Sequence, residues 1–173
     1  KSELAAQLGH HLYFDQRLSG NGAVACASCH QPQNYFTDDR TLAVGTQTGF
    51  RHTPSLVGLA YSPWFYWDGR KDSQWAQALA PIEAGHEHNL DRLQVVHLIA
   101  EDPLYKSQYE ALFQPLPALP AAPRAASPIG DELLRRNWES LGADLQLDIN
   151  GVFANIGKTL AAYQRKIKPG PSR

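Results

Sequence analysis

Cys26 and Cys29 stand three positions apart and His30 follows directly, in the run Cys26-Ala27-Ser28-Cys29-His30. Two thiols at that spacing beside an imidazole suit covalent haem attachment: each thiol can form a thioether to a vinyl group, and the imidazole is held under the porphyrin as an iron ligand. Cys26 and Cys29 are therefore the predicted attachment sites, and His30 the predicted proximal ligand of a haem c. Two other chemistries use the same residue types. A zinc site usually recruits four protein ligands, and a dithiol redox pair does not call for a histidine after its second cysteine. The chain holds no further cysteine, so a disulfide framework is excluded. Haem is joined to such motifs outside the cytoplasm, which points to the periplasm of a Gram-negative bacterium. With no methionine, the chain cannot supply a His/Met-ligated carrier haem.

Other side chains capable of chemistry carry weaker signals. Glu87 lies in Gly85-His86-Glu87-His88, which by itself reads as a solvated loop. His86 and His88 alternate around it, but two imidazoles make a poor metal site and are expected at the surface. Trp67 ends the aromatic run Trp64-Phe65-Tyr66-Trp67, a pattern that usually means core packing. His10, His11 and His97 fall on helical stretches and are expected in core or surface roles. Tyr35, Tyr61 and Tyr66 could relay charge or simply pack. Arg165, Lys166 and Lys168 suit a helix C-terminus.

The elements that must position these residues read as helices and ordered loops. Leu4, Leu8 and Leu12 recur every four residues after Ser2-Glu3 and predict a helix ending near Phe14, followed by a turn over 15–22. The thiol motif is expected on a short helix. From Gln31 to Trp67 the helical period is lost among prolines, glycines, threonines and aromatics, which predicts a long ordered loop wrapped on the cofactor. Ser73 is the expected cap of a helix reaching about Ala80 and broken by Pro81. Asn89 should cap another through Ala100, and Pro103 opens a third that ends near Phe113. The proline- and alanine-rich stretch 114–128 reads as a surface linker or insertion. Asp148 should cap a last helix with the apolar stripe Ile149, Val152, Phe153, Ile156, Leu160, Tyr163 and Ile167, ending at Lys168-Pro169-Gly170. No alternating strand pattern of useful length occurs, so the fold class is all-α: one cytochrome c-like haem domain with long ordered loops.

The chain has 173 residues and a formal net charge of −1, which offers bulk electrostatics no grip on nucleic acid or an anionic membrane. No apolar run approaches the roughly 20 residues that span a bilayer. Lys1-Ser2-Glu3-Leu4 is not a signal peptide, so the sequence reads as a mature product or a trimmed one.

Several blocks fall in the order seen in bacterial di-haem cytochrome c peroxidases and MauG-type enzymes. They are Leu12-Tyr13-Phe14-Asp15-Gln16-Arg17-Leu18-Ser19, Asn21-Gly22, the thiol motif, Phe36-Thr37-Asp38, Arg51-His52-Thr53-Pro54-Ser55-Leu56, Phe65-Tyr66-Trp67-Asp68-Gly69-Arg70, and Gln77 to Ile82 with Glu87 beyond. The run Ile156 to Arg165 is similar to the helix closing the N-terminal domain of that family. The resemblance spans nearly the whole chain outside 114–128. It implies a single peroxidatic haem domain over 1–173, with a second haem c on a further domain or chain. By the same resemblance Trp67 lies between the two haems, Gln77, Pro81 and Glu87 line the distal pocket, and Glu87 does the acid/base work. Arg51 and Arg70 are candidates to neutralise haem propionates.

Two departures from the family pattern matter. Typical members carry a haem-ligating histidine in the stretch matching Leu42 to Thr48, and this chain has none there. That favours a haem open to peroxide, as in MauG-like members. His52 replaces an asparagine that contributes to a calcium site, which puts calcium in doubt; His52 could instead reach the haem as a distal ligand or play a structural part. The implied activity is oxidation by hydrogen peroxide through a high-valent iron species, with electrons drawn from a small redox protein or from a residue on a partner protein. The alternative is a single-haem electron carrier or ligand sensor.

Overall fold

A computed structural model describes residues 2–171, and their backbone is helical without strands. The helices are α1 (Ser2–Phe14), α2 (Cys26–Cys29), α3 (Gln74–Glu83), α4 (Arg92–Glu101), α5 (Pro103–Leu112), α6 (Glu132–Ser140) and α7 (Ala143–Gln164), with short 3₁₀ turns at Gln16–Leu18, Pro32–Asn34 and Leu59–Tyr61. The expected all-α, cytochrome c-like architecture is what forms, and 31–67 is the expected long loop, stiffened by isolated bridges at Gln31–Thr37, Val44–Thr48 and Phe65–Lys71.

The core grows from the stripes read in the sequence. Leu8, Leu12 and Tyr13 of α1 and Ile149, Val152, Ile156 and Leu160 of α7 are wholly buried, and α7 packs mainly on α1 and α3. Burying each such aliphatic side chain stabilises the fold by about 1.5–3 kcal/mol. Two glycines permit the close approach. A Cβ on Gly9 would stand 2.0 Å from the Thr159 carbonyl oxygen, and one on Gly157 would stand 2.6 Å from that of Trp75. Helix α4 adds Leu93, Val95, Val96 and Ile99, all buried.

Several boundaries differ from expectation. Helix α3 continues past Pro81 to Glu83. The ring removes only the amide that would bond the Gln77 carbonyl, while the amides of Ala84 and His88 both bond the Pro81 carbonyl and close the last turn. Asn89 has a left-handed backbone (φ 53°), whereas a side-chain N-cap typically has an extended one. The cap of α4 is Asp91, whose carboxylate accepts from Gln94 N–H at 3.1 Å and from Ala126 N–H at 2.9 Å. That second bond ties the end of 114–128 to α4, and Ala126 and Ser127 are buried, so this segment is in part packed. Helix α6 was not expected; Asp131 caps it by accepting from Leu134 N–H, and Trp138 is its buried side chain. Helix α7 begins at Ala143, five residues before Asp148, and closes at Gln164, with Ile167 buried in the turn beyond.

Candidate functional site

Helix α2 is a single turn presented by a tight loop. The Ala25 amide donates to Ser28 Oγ at 3.0 Å, and the His30 amide to the Cys26 carbonyl at 2.9 Å. Both thiols are free, and burial pushes both upward, Cys26 to about 12. His30 Nδ1 lies 3.1 Å from the Phe36 carbonyl oxygen. A carbonyl can only accept, so Nδ1 carries the proton and Nε2 keeps its lone pair. Burial holds the His30 imidazole below its ordinary range, which favours the neutral, ligating form. Tyr13 Oη donates to the His30 carbonyl, tying α1 to the motif.

Glu87 sits on the turn after α3, and a hairpin-like loop grips that turn. The Thr46 amide donates to the Glu87 carbonyl at 2.8 Å, the Gln47 amide to that of His86 at 3.2 Å, and Thr46 Oγ1 to that of Gly85 at 2.9 Å. Gly45 lies flat on the same backbone: a Cβ there would stand 2.5 Å from the Glu87 carbonyl oxygen. The stretch 42–48, which lacks the histidine of typical peroxidases, thus positions the Glu87 turn. The Glu87 carboxyl is half-buried, and burial raises it above the usual carboxylate range against the pull of His86 and Arg70. Its charge in turn helps to raise both thiols.

Tyr66 has a left-handed backbone (φ 66°), and burial raises its hydroxyl against the pull of Gln77 and Arg70. The Arg70 guanidinium lies 3.4 Å above the Tyr66 ring and 2.8 Å from Asp68 Oδ1, so Arg70 is already engaged by protein groups. The charges of Glu87 and Arg70 act on Tyr66 in opposite directions, and that of Glu87 reaches both thiols. Pro81 lies one helical turn beyond Gln77, on the same side of α3.

Trp67 and Arg51 line a cavity rather than the Glu87 turn. Trp67 is 87% exposed rather than packed in the core, and with Leu42, Phe50, Arg51, His52 and Pro54 it lines an open cavity of about 550 Å³. His52 is held within the loop, Nδ1 donating to the Arg40 carbonyl at 2.8 Å and Nε2 lying 3.2 Å from Thr37 Oγ1. Both ring nitrogens are thereby occupied, and the structural reading of His52 is the one the geometry supports. His88 corrects an expectation: it is buried, 4% exposed, rather than at the surface. His10 and His11 are exposed and His97 is buried, as their helical positions allow. Tyr66, read as a relay or packing residue, and His88, expected at the surface, are neighbours of the site that the sequence reading did not place there. Only a backbone sign and contacts across the fold reveal them.

An imidazole with one nitrogen anchored and the other left to ligate, two free thiols one helical turn apart, and a nearby cavity walled by exposed Leu42, Phe50 and Trp67 fit a haem c. The family model for di-haem cytochrome c peroxidases matches residues 3–173.

The chain belongs to the di-haem cytochrome c peroxidase family.

Among its relatives, the methylamine utilization protein MauG of Methylorubrum extorquens is 42% identical over 110 residues, covering 61% of this chain and 31% of that one. The cytochrome-c peroxidase IdrP2 of Denitromonas iodatirespirans is 34% identical over 108 residues, covering 60% and 29%. The solved structure of the diheme peroxidase BthA from Burkholderia thailandensis, in its Y463M variant, superposes with a TM-score of 0.71 at 19% identity, over 96% of this chain and 40% of that one. That likeness shows a shared fold. The chain spans about a third of the length of the curated relatives it matches. None of its helices is long and apolar enough to cross a membrane among the described residues.

Proposed function

We propose that this chain is the peroxidatic haem domain of a periplasmic di-haem oxidoreductase. The observation that carries the reading is a raised, half-buried carboxyl, Glu87, close enough to a thiol pair to bear on both sulfurs, with a pre-oriented imidazole following that pair. Cys26 and Cys29 would hold haem c covalently and His30 would ligate its iron. When bound, that group supplies a redox-active iron centre that reacts with hydrogen peroxide.

The protein groups do the rest. With haem c bound, Glu87 would take a proton from one peroxide oxygen and return it to the other, a task that needs a carboxylate able to both accept and release at working pH. Gln77, one helical turn before Pro81 on α3, orients peroxide by hydrogen bonding. Pro81 gives α3 its shape next to Gln77. Trp67, exposed at the cavity, is the electron route toward a second haem on another domain or chain, and Arg51, which is not engaged by a carboxylate, is better placed than Arg70 to meet a propionate. The electron source is a small redox protein or a residue on a protein substrate. The histidine-free stretch 42–48, committed to holding Glu87, favours the second, MauG-like branch.

Rapid mixing of the holoprotein with hydrogen peroxide tests the reading. Glu87→Gln should slow the spectral change by about 10²-fold or more while leaving the resting spectrum unchanged. An unchanged rate removes Glu87 from the chemistry, and a wild-type haem inert to peroxide supports the carrier or sensor alternative.

A further inference from the structure

His88 belongs to a polar turn, yet its imidazole is buried and locked. Nδ1 lies 2.7 Å from the Leu18 carbonyl oxygen and therefore carries the ring proton. The lone pair is left on Nε2, which lies 3.9 Å from the sulfur of Cys26. The backbone is pinned on both sides: the Gly20 amide donates to the His88 carbonyl at 2.8 Å, and the His88 amide to the Pro81 carbonyl at 3.1 Å. Gly20 also presses on Asn89, where a Cβ would stand 2.3 Å from the Asn89 carbonyl oxygen, so the turn cannot drift away from the thiol loop.

The two partners are mismatched in a useful way. Burial holds the imidazole below its ordinary range, so it is a neutral base near pH 7. Burial pushes the Cys26 thiol up to about 12, so unaided it yields almost no thiolate. Cys29 has no such partner; its sulfur lies 3.5 Å from the Val44 carbonyl, which can accept a hydrogen bond but cannot carry a proton away.

We infer that His88 is the general base for thioether formation at Cys26. The inference rests on the covalent-haem reading above. Nε2 takes the proton from Sγ as sulfur bonds to one carbon of the vinyl group, and that proton passes from Nε2 to the other vinyl carbon. One S–H bond and one carbon–carbon π bond are lost, and one C–S and one C–H bond are gained. No oxidant or reductant is consumed, and His88 ends as it began.

The test is peptide mass spectrometry on the full native chain, matured as wild type, His88→Gln and His88→Met, with free thiols capped by iodoacetamide. Wild type should carry thioethers at both cysteines. Both variants should keep the Cys29 bond while Cys26 is alkylated in most molecules, as expected from a base worth about 10²-fold or more in rate. Glutamine can still donate to Leu18 and methionine fills the space, so a loss shared by both variants, with far-ultraviolet circular dichroism unchanged, is loss of the base. Two thioethers in either folded variant overturn the inference. Absence of haem from both cysteines in wild type overturns the covalent-haem reading instead. Should neither variant fold, wild-type chain sampled during haem attachment decides: a Cys26 bond formed at least as fast as the Cys29 bond is expected, and a slower one overturns the proposal.

Discussion

Glu87 combines two properties that rarely coincide, a carboxyl made hard to ionise by burial and a position still reachable from outside. Its folded-state value lies above the unfolded one, so its protonated form is the one the fold tolerates. The associated stability is present at low pH and declines as pH rises through the raised folded value. Glu87→Gln should therefore melt no lower than wild type at pH 7, and higher there than at pH 4 relative to wild type, measured by calorimetry. For activity the sign is reversed: the base form is lost on acidification, and the peroxide reaction should fall off at a higher pH than an ordinary glutamate would give. At this scale the sequence was legible where spacing alone defines chemistry, as at Cys26, Cys29 and His30. Glu87 and Gln77 became candidates through family resemblance, because a carboxylate in a His-rich turn has no local signature. Tyr66 and His88 were considered but not placed at the site, since a left-handed φ and a bond to a carbonyl 70 residues away leave no mark on the residues themselves.

Helices α1 and α7 were readable because their apolar positions recur at the helical period and meet across glycines that admit backbone contact. Gly9→Ala, forced against the Thr159 carbonyl, should cost about 3 kcal/mol in denaturant unfolding. Gly151→Ala, on the same α7 but facing open space, should instead stabilise by about 1 kcal/mol. Equal effects from the two would show that the α1–α7 approach is looser than described. What stayed hidden is explained by what competes with local signals. Asp148 has cap chemistry, but Ala143 to Leu147 are compatible with helix and simply extend α7. Asp91 captures the cap of α4 because Asn89 is bent into a left-handed turn. Helix α6 has few apolar residues and rests on Asp131 and Trp138. The loop at 43–49 makes its own prediction. Gly45→Ala must push the Glu87 backbone aside, so the holoprotein should lose peroxide reactivity about as Glu87→Gln does, while keeping its melting temperature within a few degrees. Full reactivity in rapid mixing would show that this loop does not set the position of Glu87.

The helical body is apolar within, while Tyr35, Phe50, Tyr61, Trp64 and Trp67 are largely exposed on or beside the long loop. Such a concentration of uncovered aromatics fits a surface completed by cofactor and by a second haem-bearing unit. The all-α class followed from helical periodicity, whereas the single-haem-domain expectation rested on the family resemblance and one attachment motif. The surroundings of Trp67 did not, because an aromatic run reads as core until the fold places it outside. The central claim, a peroxidatic domain within a di-haem oxidoreductase, is tested most directly by the intact mass of the native holoprotein with its covalent haems counted. The account predicts two haems on the native assembly, one of them at Cys26 and Cys29. A single haem on a polypeptide of 173 residues with no haem-bearing partner would contradict it.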